Sequence, residues 1–153
     1  MMLPDTERLL SKYLRAHAAV AALVGDRVYT AFPAQAGGEP LVLLQRAGGT
    51  PPLSHPLVVD EVQVQIDCYG GTKAQAWTLA ATVLDALDAL EGYVDTQLGS
   101  VSAVRLGAVR WMPDDRIMTA SDRSRPRYIA DVTLTTRPAL PAAAKRAEAV
   151  TSA

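Results

Sequence analysis

Residues 62–90 change period in mid-stretch, and that change constrains the fold more than any other feature of the chain. "VQVQIDCY" alternates: Val62, Val64, Ile66 and Cys68 point one way, and Gln63, Gln65, Asp67 and Tyr69 the other. From Thr72 onward the spacing becomes helical. Ala76, Trp77, Leu79, Ala80, Val83, Leu84, Leu87 and Leu90 share a side, with Gln75, Thr78, Thr82, Asp85 and Asp88 opposite. Thr72 caps this helix and Gln75 stands three residues on, as a capping box requires. A strand with one apolar face, joined by a tight Gly70-Gly71 turn to a helix with one apolar stripe, buries both by laying the helix on the sheet.

The flanking sequence extends this unit. Pro4, Asp5 and Glu7 suit the first turn of a helix. Leu9, Leu10, Tyr13, Leu14, His17, Val20 and Ala21 carry that helix to Gly25. "RVYTAF" (27–32) reads as a short strand, and "LVLLQR" (41–46), apolar on both faces, as a central one. Strands are expected at 101–111 and 127–137, separated by a polar loop at 113–126. The order is α-β-β-β-α-β-β. The expected fold class is therefore α+β, with two amphipathic helices on one face of a largely antiparallel or mixed sheet. A domain spanning 1–138 is followed by an alanine-rich tail, 139–153, flexible or ordered by a partner.

Composition narrows the chemistry. Hydrophobic residues make up 49% and charged residues 20%, enough apolar material for a core. The net charge of −1 lacks the basic excess of a nucleic-acid binder. A single cysteine allows no internal disulfide, and the 2 histidines leave little material for zinc. The N-terminus lacks a basic start before an apolar block, and no apolar run reaches membrane-span length, so the cytoplasmic side of a cell is expected.

Strand, glycines, lysine and helix are also the parts of a phosphate-binding loop. That loop needs Gly, four residues, then Gly-Lys-Ser/Thr. Here Lys73 follows Thr72, and Ile66 stands where the first glycine would fall. A turn and a cap account for all of Gly70 to Lys73. Cys68 falls on the apolar face as a small hydrophobe with no adjacent base. His17 lies within an apolar stripe, as a rim or satisfied core histidine. Ser54-His55 in a Pro-flanked loop is no triad. Asp114-Asp115 is compatible with hydrated Mg²⁺ or with a solvated turn. No catalytic, cofactor or metal constellation emerges.

What remains is surface. Loop 113–126 sets Asp114, Asp115 and Asp122 against Arg116, Arg123 and Arg125, a pattern that can meet a second copy with charges matched. The polar strand face of Gln63, Gln65, Asp67 and Tyr69 offers the same use. These ten residues are the candidate subunit or partner interface. Tyr69 and Trp111 are the candidate aromatic anchors, with a core position the alternative for Trp111.

Several segments in order carry a resemblance: "LVGDRVYTAFP", "PLVLLQRAGG", "VQVQIDCYGGTKAQAWTLAATVLDAL", "VRWMPDD" and "RPRYIADVTLTTRP". Together, from Leu3 to Pro138, they resemble the tail-terminator or tail-completion family of long-tailed, non-contractile bacteriophages. The resemblance implies a compact domain without catalysis or cofactor, assembled as a six-membered ring in the neck of the virion. Such a ring caps the tail tube, stops its polymerisation and docks the head, after assembly in the bacterial host cytoplasm. The implied partners are further copies of the chain, the major tail tube protein and a head-completion or neck protein. DNA passes through the ring without specific binding. A head-completion or adaptor ring is the near alternative. A small metal-dependent enzyme using Asp114 and Asp115 is the alternative from another class.

Overall fold

The computed structural model describes residues 3–34, 37–49, 59–118 and 124–140. Helix α1 (Thr6–Ala16) begins at Asp5, whose side chain accepts the Arg8 N–H at 3.1 Å, so Asp5 caps the helix and Pro4 precedes it. The single first helix expected from the sequence is two. His17 adopts an extended backbone (φ −76°, ψ 119°) and serves both as the C-cap of α1 and the N-cap of α2 (Ala18–Val24). The break redirects the chain so that Val20 and Val24 reach the core alongside Leu9, Leu10 and Leu14. Core packing overrides the continuous helical spacing here.

Strand β1 (Val28–Tyr29) is shorter than "RVYTAF" and pairs parallel with β2 (Leu41–Gly48). β3 (Asp60–Tyr69) turns into α3 (Lys73–Asp88), capped by Thr72 as expected, with Gln75 N–H donating to Thr72 Oγ1 at 3.2 Å. Then follow β4 (Val94–Asp95), β5 (Gly99–Trp111), β6 (Asp114–Met118), β7 (Ser124–Arg125) and β8 (Arg127–Arg137). The main sheet runs β1-β2-β3-β8-β5-β4, antiparallel except for β1 and β2, so the fold is the expected α+β. β2 lies second from one edge; the centre belongs to β3 and β8.

The core fills the space between this sheet and the helices. Val62, Val64, Ile66 and Cys68 of β3 pack with Leu79, Val83, Ala86 and Leu87 of α3, and with Ala130, Val132 and Leu134 of β8. Each fully buried Val, Leu or Ile side chain among these contributes about 1.5–3 kcal/mol. Tyr13 of α1 donates its hydroxyl to the Ala86 carbonyl at 2.6 Å, joining α1 to α3.

The loop expected at 113–126 contains a second, two-stranded sheet of β6 and β7. Arg127 Nε donates to the Met112 carbonyl at 2.8 Å and Gly70 N–H to the Pro126 carbonyl at 3.1 Å. This arm is thereby tied to the end of β3, on the sheet face opposite the helices.

Candidate functional site: an anchored arm and an open sheet edge

The expected surface residues divide into those the arm covers and those it leaves open. Asp67 and Tyr69 share a face with Gln63 and Gln65, but they are buried under the arm whereas Gln63 is exposed. Tyr69 donates to Asp114 Oδ2 at 2.8 Å. Arg127 Nη1 reaches Asp67 at 3.4 Å, the Tyr69 oxygen at 3.3 Å and Asp114 at 3.4 Å. Arg116, itself exposed, holds the same Asp114 carboxylate through Nε at 3.1 Å. Asp67, Tyr69 and Asp114 therefore act as internal anchors, a correction to their reading as exposed contact groups.

Arg125 is also internal, 3% exposed. It lies over the Tyr69 ring and donates to the Glu39 carbonyl, with its Nε and Nη1 unpartnered. Asp115 is exposed and accepts from Ser124. Asp122 and Arg123 lie outside the described residues, as do Ser54, His55 and the tail from 141 onward.

The electrostatics follow from this geometry. Burial pushes the Asp114 carboxyl up, but hydrogen bonds from Arg116 and Tyr69 outweigh it and hold the group at about 2. Burial and the bond to Asp114 raise Tyr69 to about 12. Burial drives the Cys68 thiol up, with Asp67 adding to it, so the thiolate is disfavoured. Asp114 is thus occupied by protein donors, and the pair Asp114-Asp115 does not present two free carboxylates. Among the described residues no group of three or more His, Cys, Asp or Glu is placed to hold a metal.

The glycine turn is similarly committed. Gly71 N–H donates to Gln75 Oε1 at 3.0 Å, and Lys73 Nζ sits 4.7 Å from the centre of the Trp111 ring. These groups serve the turn, the cap and an aromatic contact; they form no phosphate cradle. His17, expected as a satisfied or rim histidine, is half-buried with its Nδ1 unpartnered.

Spacing misplaced Trp77 and left Trp111 open between a contact anchor and a core position. Trp77, placed on the buried stripe by its spacing, is 50% exposed, and Trp111 is 39% exposed. Both pack against Tyr128, at ring distances of 5.2 and 5.1 Å, and Met112, next in sequence to Trp111, is 45% exposed. The reason is the position of β5. β4 pairs with it only at Gly99 and Ser100, so the outer edge from Ser102 to Trp111 has no strand beside it among the described residues. On the helix side Val104, Leu106, Val109 and Trp111 stand opposite Leu134, Val132, Ala130 and Tyr128, and each is only partly covered. The opposite edge is covered in part. β1 lies along the start of β2, and Glu7 Oε1 accepts the Arg46 N–H at 2.8 Å.

Fold and site define a small two-layer α+β domain whose buried polar cluster anchors an arm and whose two exposed tryptophans lie at one unfinished sheet edge. The chain belongs to the family described as Tail completion protein gp17, whose model matches residues 8–129. It is a structural protein of a phage-type tail. Comparison with curated proteins finds no match. The fold is similar to that of a chain in the solved "Virion of native gene transfer agent (GTA) particle", with a TM-score of 0.52 and 23% identity over 86% of this chain and 92% of that one. At that identity the likeness is one of fold.

Proposed function

We propose that this chain is a tail terminator. Six copies form a ring in the neck that caps the tail tube, stops its polymerisation and joins the tail to the head. The ring's partners are the major tail tube protein on one side and a head-completion or neck protein on the other. DNA passes through without specific binding.

The observation that supports this reading best is the open edge of β5, with Leu106, Trp111, Trp77 and Met112 exposed around it. An unpaired edge beside exposed aromatic and apolar side chains is a surface for another polypeptide, because solvent leaves both its backbone groups and its apolar area poorly matched. Trp, Tyr and Met are also the residue types enriched at protein interfaces. We assign this patch to the tail tube subunit.

The test is the tail produced when the gene is deleted from its phage or particle. Overlong tails without heads are expected. Tails of normal length beside unjoined heads would point to the adaptor ring instead, and normal joined particles would overturn both. A Trp111→Ser, Trp77→Ser chain supplied in trans is expected to fold but to leave tails overlong.

A further inference from the structure

The arm covers only one end of the sheet face opposite the helices. Beyond it that face is polar and open. By register, Gln63 lies beside Thr133 and Thr133 beside Arg105, so a polar row crosses β3, β8 and β5. Arg105, Arg110 and Arg137 are exposed on the β8–β5 side. Asp131 pairs with Arg110 at 3.4 Å, and Glu61 lies at the far strand end. Arg105 has no ion pair among the described residues.

The helix layer carries an opposite feature. Ala74, Thr78, Ala81, Asp85 and Asp88 are all exposed, at intervals of four and three that form one straight seam along α3. The seam is small at its start and acidic at its end, and Glu91 continues it past the helix. None of these three carboxylates has an ion pair among the described residues. The last turn of α3 carries no basic residue, so Asp85 and Asp88 oppose the negative end of the helix dipole. No ion pair among the described residues offsets that placement. The cations of the same layer are partly engaged: Lys73, at the start of α3, lies over the Trp111 ring, Lys12 of α1 binds Asp95 at 2.6 Å and Arg15 donates to the Val28 carbonyl. Arg8 remains, and it would repel a second cationic face.

We infer that the open sheet face of one copy seats on α3 of the next, with Arg105 and Arg110 against Asp85, Asp88 and Glu91. The small side chains Ala74, Thr78 and Ala81 let the sheet approach the helix closely. The two surfaces are different, so each copy has one of each to offer, and the contact propagates head to tail. That is the symmetry a ring needs, whereas a self-complementary patch stops at a dimer. The inference rests on the ring reading and names the surfaces that build the ring.

Two charge-reversed full-length chains test it: Arg105→Glu with Arg110→Glu, and Asp85→Lys with Asp88→Lys. All four positions are exposed, and circular dichroism checks that each chain folds. Assembly is followed by light scattering, alone and on purified tail tubes. The wild-type chain is expected to assemble, and each reversed chain to lose assembly at least tenfold. An equimolar mixture of the two is expected to recover it, because acidic sheet faces then alternate with basic helices. Unchanged assembly of either reversed chain, or no recovery on mixing, overturns this contact while a wild-type ring on tail tubes leaves the ring reading standing. A wild type that forms no ring alone or on tubes overturns both.

Discussion

The Tyr69 hydroxyl donates to Asp114 Oδ2 at 2.8 Å, joining β3 to β6 across 45 positions of sequence. This bond fixes the arm to the sheet, and Arg127 closes the cluster by reaching Tyr69, Asp67 and Asp114 together. The arm is thus held by a buried, charge-assisted network, and its position depends on every member having a partner.

Removing one member tests that dependence. Arg127→Met leaves Asp67 and Asp114 buried with a cation gone, and is expected to destabilise the chain by about 3–5 kcal/mol. Tyr69→Phe keeps the ring packed with Leu41 and Leu43 and loses only the hydroxyl. Its cost is expected near 1 kcal/mol. Urea unfolding of both variants measures the difference; equal costs would show that the arginine is not the keystone. Arg125→Glu would insert an acid where the guanidinium is buried, so it reports on folding and not on ring contacts.

The same network predicts two pH limits. Asp114 titrates at about 2 when folded, against an ordinary value of 3.8. Its folded form binds fewer protons, so its contribution is full above pH 3.8 and is lost as pH falls towards 2. Tyr69 is raised from 10.0 to about 12, so its contribution is full below pH 10.0 and is lost as pH rises towards 12. Amide exchange over 112–127 is expected to quicken in both windows, and Asp114→Asn to abolish the acid one. An acid transition unchanged in that variant would assign it to another carboxylate.

Gly70 is expected to tolerate no side chain. A Cβ there would stand 2.5 Å from the Ala76 nitrogen and 2.9 Å from the Thr72 carbonyl oxygen, both backbone atoms of the helix start. Gly70→Ala should cost about 1–3 kcal/mol through overpacking. Gly71→Ala meets closely the flexible end of Gln75 at 2.9 Å, with the Gly38 carbonyl oxygen at an ordinary 3.5 Å, and should cost less. Thermal unfolding of the pair decides; the reverse order would mean that the Gln75 cap outweighs backbone contact.

Cys68 is expected to resist alkylation until the chain unfolds, since it is fully buried and its thiol is pushed up. Labelling in native buffer at pH 8, followed by mass spectrometry, should show no adduct on the time scale that modifies the chain in denaturant. Rapid native labelling would indicate opening of the sheet around β3.

Local spacing made much of this architecture legible. The parity of Val62, Val64, Ile66 and Cys68 placed each in the core, and Thr72 and Gln75 marked where α3 starts. The family resemblance was legible as well, in the order of short segments from Leu3 to Pro138, and the matched span 8–129 agrees with it. The split at His17 escaped because Leu14, His17 and Ala21 keep helical spacing across it; only the demand that Val20 and Val24 reach the core bends the chain there. Trp77 escaped, and Trp111 stayed open between anchor and core, because spacing gives the direction of a side chain and not what lies beyond it. Both point towards an apolar layer, and that layer ends at β5.

The amino-acid order alone therefore determined which side chains share a face, where the main turns fall and which class of fold results, because these depend on bonds and clashes within a few residues. Whether a face is covered was settled by the folded chain. Gln63 and Tyr69 have the same parity in one strand, yet the first meets water and the second is buried, because the arm of β6 and β7 covers one end of the sheet and not the other. Contacts at such separation are chosen by the packing of whole elements, which no local period encodes.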